Sequence, residues 1–220
     1  MAALLPHISF NTGKNPTHSI IWLHGLGADG EDFAPIAQQI KLPVAVRYIF
    51  PHAPMRPVTI NGGFVMRAWY DIVEPNISGR QDAEGICASQ NKVEALIAQE
   101  VARGILPRNI FLAGFSQGGA VVLHTALRQA VPLGGVLALS TYLPLGEQTK
   151  TEMCAEAKTT PIFLAHGHSD NVIPFAVGEK SKDALLALGC NVDWHEYKMQ
   201  HSVCEQEISD IAAWLKFKIQ

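Results

Sequence analysis

The apolar positions of this chain fall into short blocks separated by longer amphipathic stretches. Six blocks are rich in β-branched and aromatic residues: 19–24 (SIIWLH), 44–50 (VAVRYIF), 109–114 (NIFLAG), 135–140 (GVLALS), 161–166 (PIFLAH) and 191–197 (NVDWHEY). Most lack polar alternation, which predicts strands covered on both faces, as in a parallel sheet. Between them the period lengthens to that of a helix. Val93, Leu96, Ile97 and Val101 share a stripe in 83–103, and Ile208, Ile211, Ala212 and Leu215 do so in 203–217. Helices are also predicted over 30–40, 117–129 and 175–188. Strand and helix alternate, so the expected fold is α/β, a mostly parallel central sheet with helices on both faces. The chain reads as a single domain over residues 1–220. Two stretches interrupt the alternation. Residues 51–76, rich in proline and glycine, predict a long ordered loop with a short strand near 66–71. Residues 144–160 predict a polar excursion with one short helical piece.

Composition narrows the function classes. Hydrophobic residues are 48% and charged residues 17% of the 220, which excludes a disordered chain. A net charge of −3 with scattered Lys and Arg gives no footprint for nucleic acid. No apolar run approaches the roughly 20 residues a spanning helix needs, so no stable membrane insertion is expected. The opening MAALLPHISFNTGK lacks a basic leader and is broken by Pro6. The expectation is therefore no secretory signal and a cytoplasmic location. Cys87, Cys154, Cys190 and Cys204 form no C-x-x-C pair, and they predict free buried thiols.

In parallel sheets, ligands gather at the carboxyl ends of the strands, and the distinctive residues fall there. The run 109–120 reads NIFLAGFSQGGA and contains G-x-S-x-G as Gly114, Phe115, Ser116, Gln117 and Gly118. An apolar strand precedes it and an apolar helix follows it, the context of a nucleophile elbow. A serine needs an adjacent base, and in this architecture the order is serine, acid, histidine. Asp170 follows the strand 161–166, and His201 follows the strand 191–197. His195 and Asp193 are rivals, but both lie within a strand. The expected roles are Ser116 as nucleophile, His201 as base and Asp170 as its orienting carboxylate. An oxyanion hole needs two amides. One is that of Gln117, at the head of a helix. The other is Leu26, in the glycine-rich loop HGLGADG after the first predicted strand.

Two patterns compete. Gly25, Gly27 and Gly30 spell G-x-G-x-x-G, but no acidic residue occurs between Phe33 and Tyr70 to hold a ribose. No nucleotide cofactor is expected. His166, His168 and Asp170 could begin a metal site, yet no second ligand cluster completes it, so no metal is expected either.

Taken together, LHGLGADGEDF, FPHAPMRPVTINGG, RAWYDI, GFSQGGA, HGHSDNVIP and MQHSV resemble the carboxylesterase and acyl-protein thioesterase family of the α/β-hydrolase fold. The motifs run in order from about Ile20 to the last helix. The resemblance implies a lidless, cofactor-free serine esterase, with its triad on Ser116, Asp170 and His201 and its oxyanion amides on Leu26 and Gln117. It implies that the loop 51–72 shapes an acyl pocket, with Met66, Trp69, Ile72 and Val172 as candidate lining. The implied substrate is a small-molecule or lipid acyl ester of short to medium chain, cleaved through an acyl-enzyme. The alternative is a thioesterase for lipidated proteins, or a lysophospholipase, acting on long chains. The resemblance leaves both monomer and homodimer open.

Overall fold

The computed structural model describes residues 4–76 and 79–219. Its elements, in chain order, are strands β1 (His7–Asn11) and β2 (His18–Leu23), helix α1 (Ala34–Gln39), and strands β3 (Val46–Pro51), β4 (Met55–Val58) and β5 (Phe64–Arg67). Helix α2 (Ala83–Ala102), strand β6 (Ile110–Phe115), helix α3 (Gln117–Ala126), strand β7 (Gly135–Leu139) and helix α4 (Gly146–Glu152) follow. Strand β8 (Ile162–Gly167), helix α5 (Phe175–Ala187), strand β9 (Val192–Tyr197) and helix α6 (Glu205–Lys218) complete the chain.

Seven strands form one sheet in the order β1-β3-β2-β6-β7-β8-β9. β1 is antiparallel to β3 and every other pairing is parallel. Alternate residues of each central strand feed two separate cores. Ile21, Leu23, Leu112, Val136 and Leu164 face Val93, Leu96, Val121 and Leu185, so α2, α3 and α5 cover that side. Ile20, Trp22, Phe111, Leu137 and Phe163 face Ala37, Ile211 and Leu215, so α1 and α6 cover the other. Both alternating sets are apolar because both faces are covered, and this is why the strand blocks show no polar alternation. No described helix is long and apolar enough to cross a membrane.

Three departures from the sequence reading have simple causes. β1 was not expected. It is a half-buried edge strand whose Ile8 and Phe10 pack on the second core, and pairing with β3 creates it. The loop 51–76 contains a two-stranded hairpin, β4 with β5, so its strand lies at Phe64–Arg67 rather than near 66–71. The excursion 144–160 holds two helical pieces, α4 and a 3₁₀ turn over Ala155–Thr159. The cysteines are unpaired, but only Cys190 is buried; Cys154 and Cys204 are half-buried and Cys87 is exposed.

Candidate active site

Ser116 occupies the one-residue turn between β6 and α3. Its backbone sits at φ 53° and ψ −119°, a left-handed conformation that a non-glycine residue adopts only under constraint. The constraint is visible. Its N–H donates to Leu139 O at 2.9 Å. Its carbonyl accepts from Ala120 N at 3.1 Å and from Thr141 Oγ1 at 2.6 Å. The hydroxyl does not cap α3, which leaves it for chemistry. The flanking glycines answer to crowding: a Cβ on Gly114 would lie 2.4 Å from Gly118 O, and one on Gly118 would lie 2.5 Å from His24 O. The turn closes this tightly only without those side chains.

Asp170 and His201 come from the loops after β8 and β9. His201 Nδ1 donates to Asp170 Oδ2 at 2.7 Å. The other carboxylate oxygen, Oδ1, accepts Val172 N at 2.9 Å and Ile173 N at 2.8 Å. The carboxylate is thus fixed by its own turn before it fixes the imidazole. The His201 ring lies against Phe115, with centroids 4.7 Å apart. With Nδ1 committed to Asp170, Nε2 is left as the proton acceptor. Ser116 and His201 line one cavity of about 420 Å³, within the usual range for small-molecule sites.

The rival residues have other employment. His195 stacks on Phe163 at 4.1 Å, within the sheet face. His166, fully buried, donates from Nε2 to Ile173 O at 2.8 Å, and burial lowers its pKa. His168 is half-exposed and pairs with Glu196 at 3.2 Å. Within the H-x-H-x-D run, His166 Nε2 lies 3.4 Å from Asp170 Oδ2 while His168 turns away to Glu196, so the two histidines do not converge. Gly30, last of the G-x-G-x-x-G set, faces neighbouring backbone: a Cβ there would lie 2.4 Å from Phe50 O.

Gly25 runs beside Ser116, since a Cβ on it would lie 3.5 Å from Ser116 Cβ. Leu26 and Gln117 both line the cavity. The Leu26 loop is pinned to the end of β5, where Gly27 N donates to Arg67 O at 2.9 Å. Gln117 is the first residue of α3, where helical N–H groups have no partner within the helix.

Of the four pocket residues anticipated, Ile72 and Val172 line the cavity. Met66 and Trp69 do not, and this corrects the sequence reading. Trp69 is fully buried and its indole Nε1 donates to His24 O at 2.8 Å. Met66 accepts from Asn61 Nδ2 at its sulfur, on the hairpin behind the Leu26 loop. Several wall residues were missed: Ile60, Val73, Ile173 and the tyrosines Tyr70 and Tyr142, whose hydroxyls are 2.7 Å apart. Tyr142 had a usable signal, since it follows the end of β7 on the same edge as Ser116. The Gln117 side chain was also missed. Its Oε1 accepts Trp69 N at 2.8 Å and its Nε2 donates to Tyr70 O at 2.7 Å, so it clamps the cavity wall to the head of α3. Asp82 ties the wall residue Asp71 to α2, accepting Asp71 N at 2.8 Å while capping the helix through Gly85 N at 2.9 Å.

A family model for phospholipases and carboxylesterases matches residues 8–219. The chain belongs to this family. It is therefore a hydrolase of the α/β-hydrolase fold. Acyl-protein thioesterase 1 of Yarrowia lipolytica is 40% identical over 93% of both chains. Carboxylesterase SOBER1 of Arabidopsis thaliana is 35% identical over 91% of this chain and 90% of that one. The SOBER1 crystal structure superposes with a TM-score of 0.88, covering 92% of this chain and 99% of its own. That of Zea mays acyl-protein thioesterase 2 is 30% identical and reaches 0.84, covering 97% and 99%. The cavity beside Ser116 is walled by residues of the hydrolase fold itself.

Proposed function

We propose that the chain hydrolyses carboxylic esters and thioesters of short to medium acyl chains through an acyl-Ser116 intermediate. One observation carries this reading: His201, held by Asp170 at 2.7 Å, shares a cavity with a serine on a strained turn. His201 Nε2 takes the Ser116 proton as Oγ bonds to the acyl carbon. The imidazolium that forms is stabilised by Asp170. The amides of Leu26 and Gln117 receive the oxyanion. Collapse breaks the bond to the leaving alcohol or thiol, which takes the proton from His201. Water then attacks the acyl-enzyme by the same route in reverse. The acyl group lies among Ile60, Ile72, Val172 and Ile173.

The names of the relatives, acyl-protein thioesterases, favour a second reading, a thioesterase for acylated proteins, which we take with long acyl chains. A p-nitrophenyl ester series from acetate to palmitate, with matching acyl thioesters, separates the two. A maximum at butyrate to octanoate supports the first reading, and a maximum at palmitate replaces it with the second. Ser116→Ala is expected at background throughout, and a fluorophosphonate is expected to add its mass to Ser116 alone. Turnover surviving in Ser116→Ala would remove both readings.

A further inference from the structure

His24 directly follows β2 and is 1% exposed, yet the proposed chemistry gives it no role. Its ring makes two hydrogen bonds of opposite sense. Nδ1 lies 2.7 Å from Gly25 O, which can only accept. Nε2 lies 3.1 Å from Ala53 N, which can only donate. The tautomer is thereby set twice over: Nδ1 carries the proton and Nε2 carries the lone pair. Burial, the largest influence, lowers the His24 pKa to about 4 and keeps the ring neutral at pH 7.

The Gly25 carbonyl belongs to the peptide unit whose N–H is that of Leu26. A trans peptide is planar, so its C=O and N–H point in opposite directions. Holding Gly25 O on the His24 ring therefore aims Leu26 N–H the other way. That unit passes beside Ser116. The geometry points to His24 as a positioning residue that orients the Leu26 amide of the oxyanion hole through the Gly25 carbonyl. His24 is itself anchored on its far side: its own carbonyl accepts the Trp69 indole N–H at 2.8 Å. The inference rests on the serine-esterase reading above.

Two substitutions divide the two ring bonds. The amide of His24→Asn ends where Nδ1 ends and can donate to Gly25 O, leaving Ala53 N unpaired. The amide of His24→Gln reaches the Nε2 position and can accept Ala53 N, leaving Gly25 O unheld. Each variant loses one buried hydrogen bond, so the two are expected to lose similar Tm. In hydrolysis of p-nitrophenyl butyrate they are expected to diverge. His24→Gln loses roughly 10²-fold in kcat, the scale of one misaligned oxyanion donor, at unchanged KM. His24→Asn keeps most of the wild-type kcat. Inhibition by an alkyl trifluoromethyl ketone, which forms a tetrahedral oxyanion, is expected to weaken in His24→Gln by the factor lost in kcat/KM. Equal kcat loss in the two variants, or inhibitor affinity that does not follow kcat/KM, overturns the assignment. Wild-type protein supplies a measurement independent of variant folding: the sequentially assigned ¹⁵N spectrum of His24 should show a protonated Nδ1 and an unprotonated Nε2, and the reverse tautomer overturns the assignment. Ser116→Ala is run alongside. Activity in that variant defeats the underlying reading, whereas an inactive Ser116→Ala with indistinguishable His24 variants defeats only the role of His24.

Discussion

Gln117 has two separable parts, a backbone amide that any residue supplies and a side chain that only glutamine supplies in this form. Gln117→Ala keeps the first and deletes the second. The deletion strands Trp69 N and Tyr70 O, both on residues at most 2% exposed. A buried backbone group left unpaired costs about 1–3 kcal/mol, so the pair amounts to about 2–6 kcal/mol. Against a total stability of about 5–15 kcal/mol this is a large fraction. The functional effect follows from where the stranded groups sit. Residues 70–73 wall the cavity, and without the clamp that wall is no longer tied to α3. Acetate hydrolysis is expected to stay within about tenfold of wild type, because the proposed oxyanion amides and the proposed triad are untouched. Preference among longer chains is expected to flatten, because the surface that measures them has loosened. Urea denaturation measures the first effect, and kcat/KM across the p-nitrophenyl ester series measures the second. A stability loss below about 1 kcal/mol, together with an unchanged chain-length profile, would refute the claim that this side chain supports the pocket.

Asp170→Asn should hold its turn through Val172 N and Ile173 N, yet present an amide donor to His201 Nδ1; kcat is expected to fall about 10⁴-fold at near-constant KM, and a loss under tenfold would detach Asp170 from catalysis. Glu207 is fully buried, and its pKa is raised from 4.5 to about 8, chiefly by burial. The fold holds its proton while the unfolded chain releases it above pH 4.5, so stability falls by about 1.4 kcal/mol per pH unit between 4.5 and 8. Glu207→Gln is therefore expected to be about 3 kcal/mol more stable than wild type at pH 7 and to match it near pH 4, as denaturant midpoints across that range will show. His24 and His124, each buried with pKa lowered from 6.5 to about 4, act in the opposite direction: the unfolded chain gains protons first on acidification, so the stability they confer, complete above pH 6.5, is lost between 6.5 and 4. In a Glu207→Gln background, His124→Leu should flatten the fall in Tm over that window, and an unaltered slope would show that His124 is not held neutral by the fold.

The sequence by itself determined whatever rests on local periodicity and local sterics. Apolar runs of about six residues separated by helical stripes leave little alternative to a parallel sheet covered on both faces. The elbow at Ser116 was legible because its requirements lie within a few residues: an apolar strand, a serine, and glycines at 114 and 118, where an added Cβ would meet backbone within 2.6 Å. Asp170 and His201 were legible as residues after strands, but their 2.7 Å contact joins loops 31 positions apart and exists only because β8 and β9 are neighbours in the sheet. β1 went unseen for a similar reason, since its partner β3 lies far along the chain. The cavity was least legible. Residues 68–76 follow neither a helical nor a strand period, so nothing local says that Trp69 turns into the core toward His24 O while Ile72 turns toward the cavity. Those directions are set by hydrogen bonds from distant residues, the Gln117 side chain and the His24 carbonyl. Long-range partners decide side-chain direction wherever the backbone has no regular repeat, and that decision belongs to the tertiary structure.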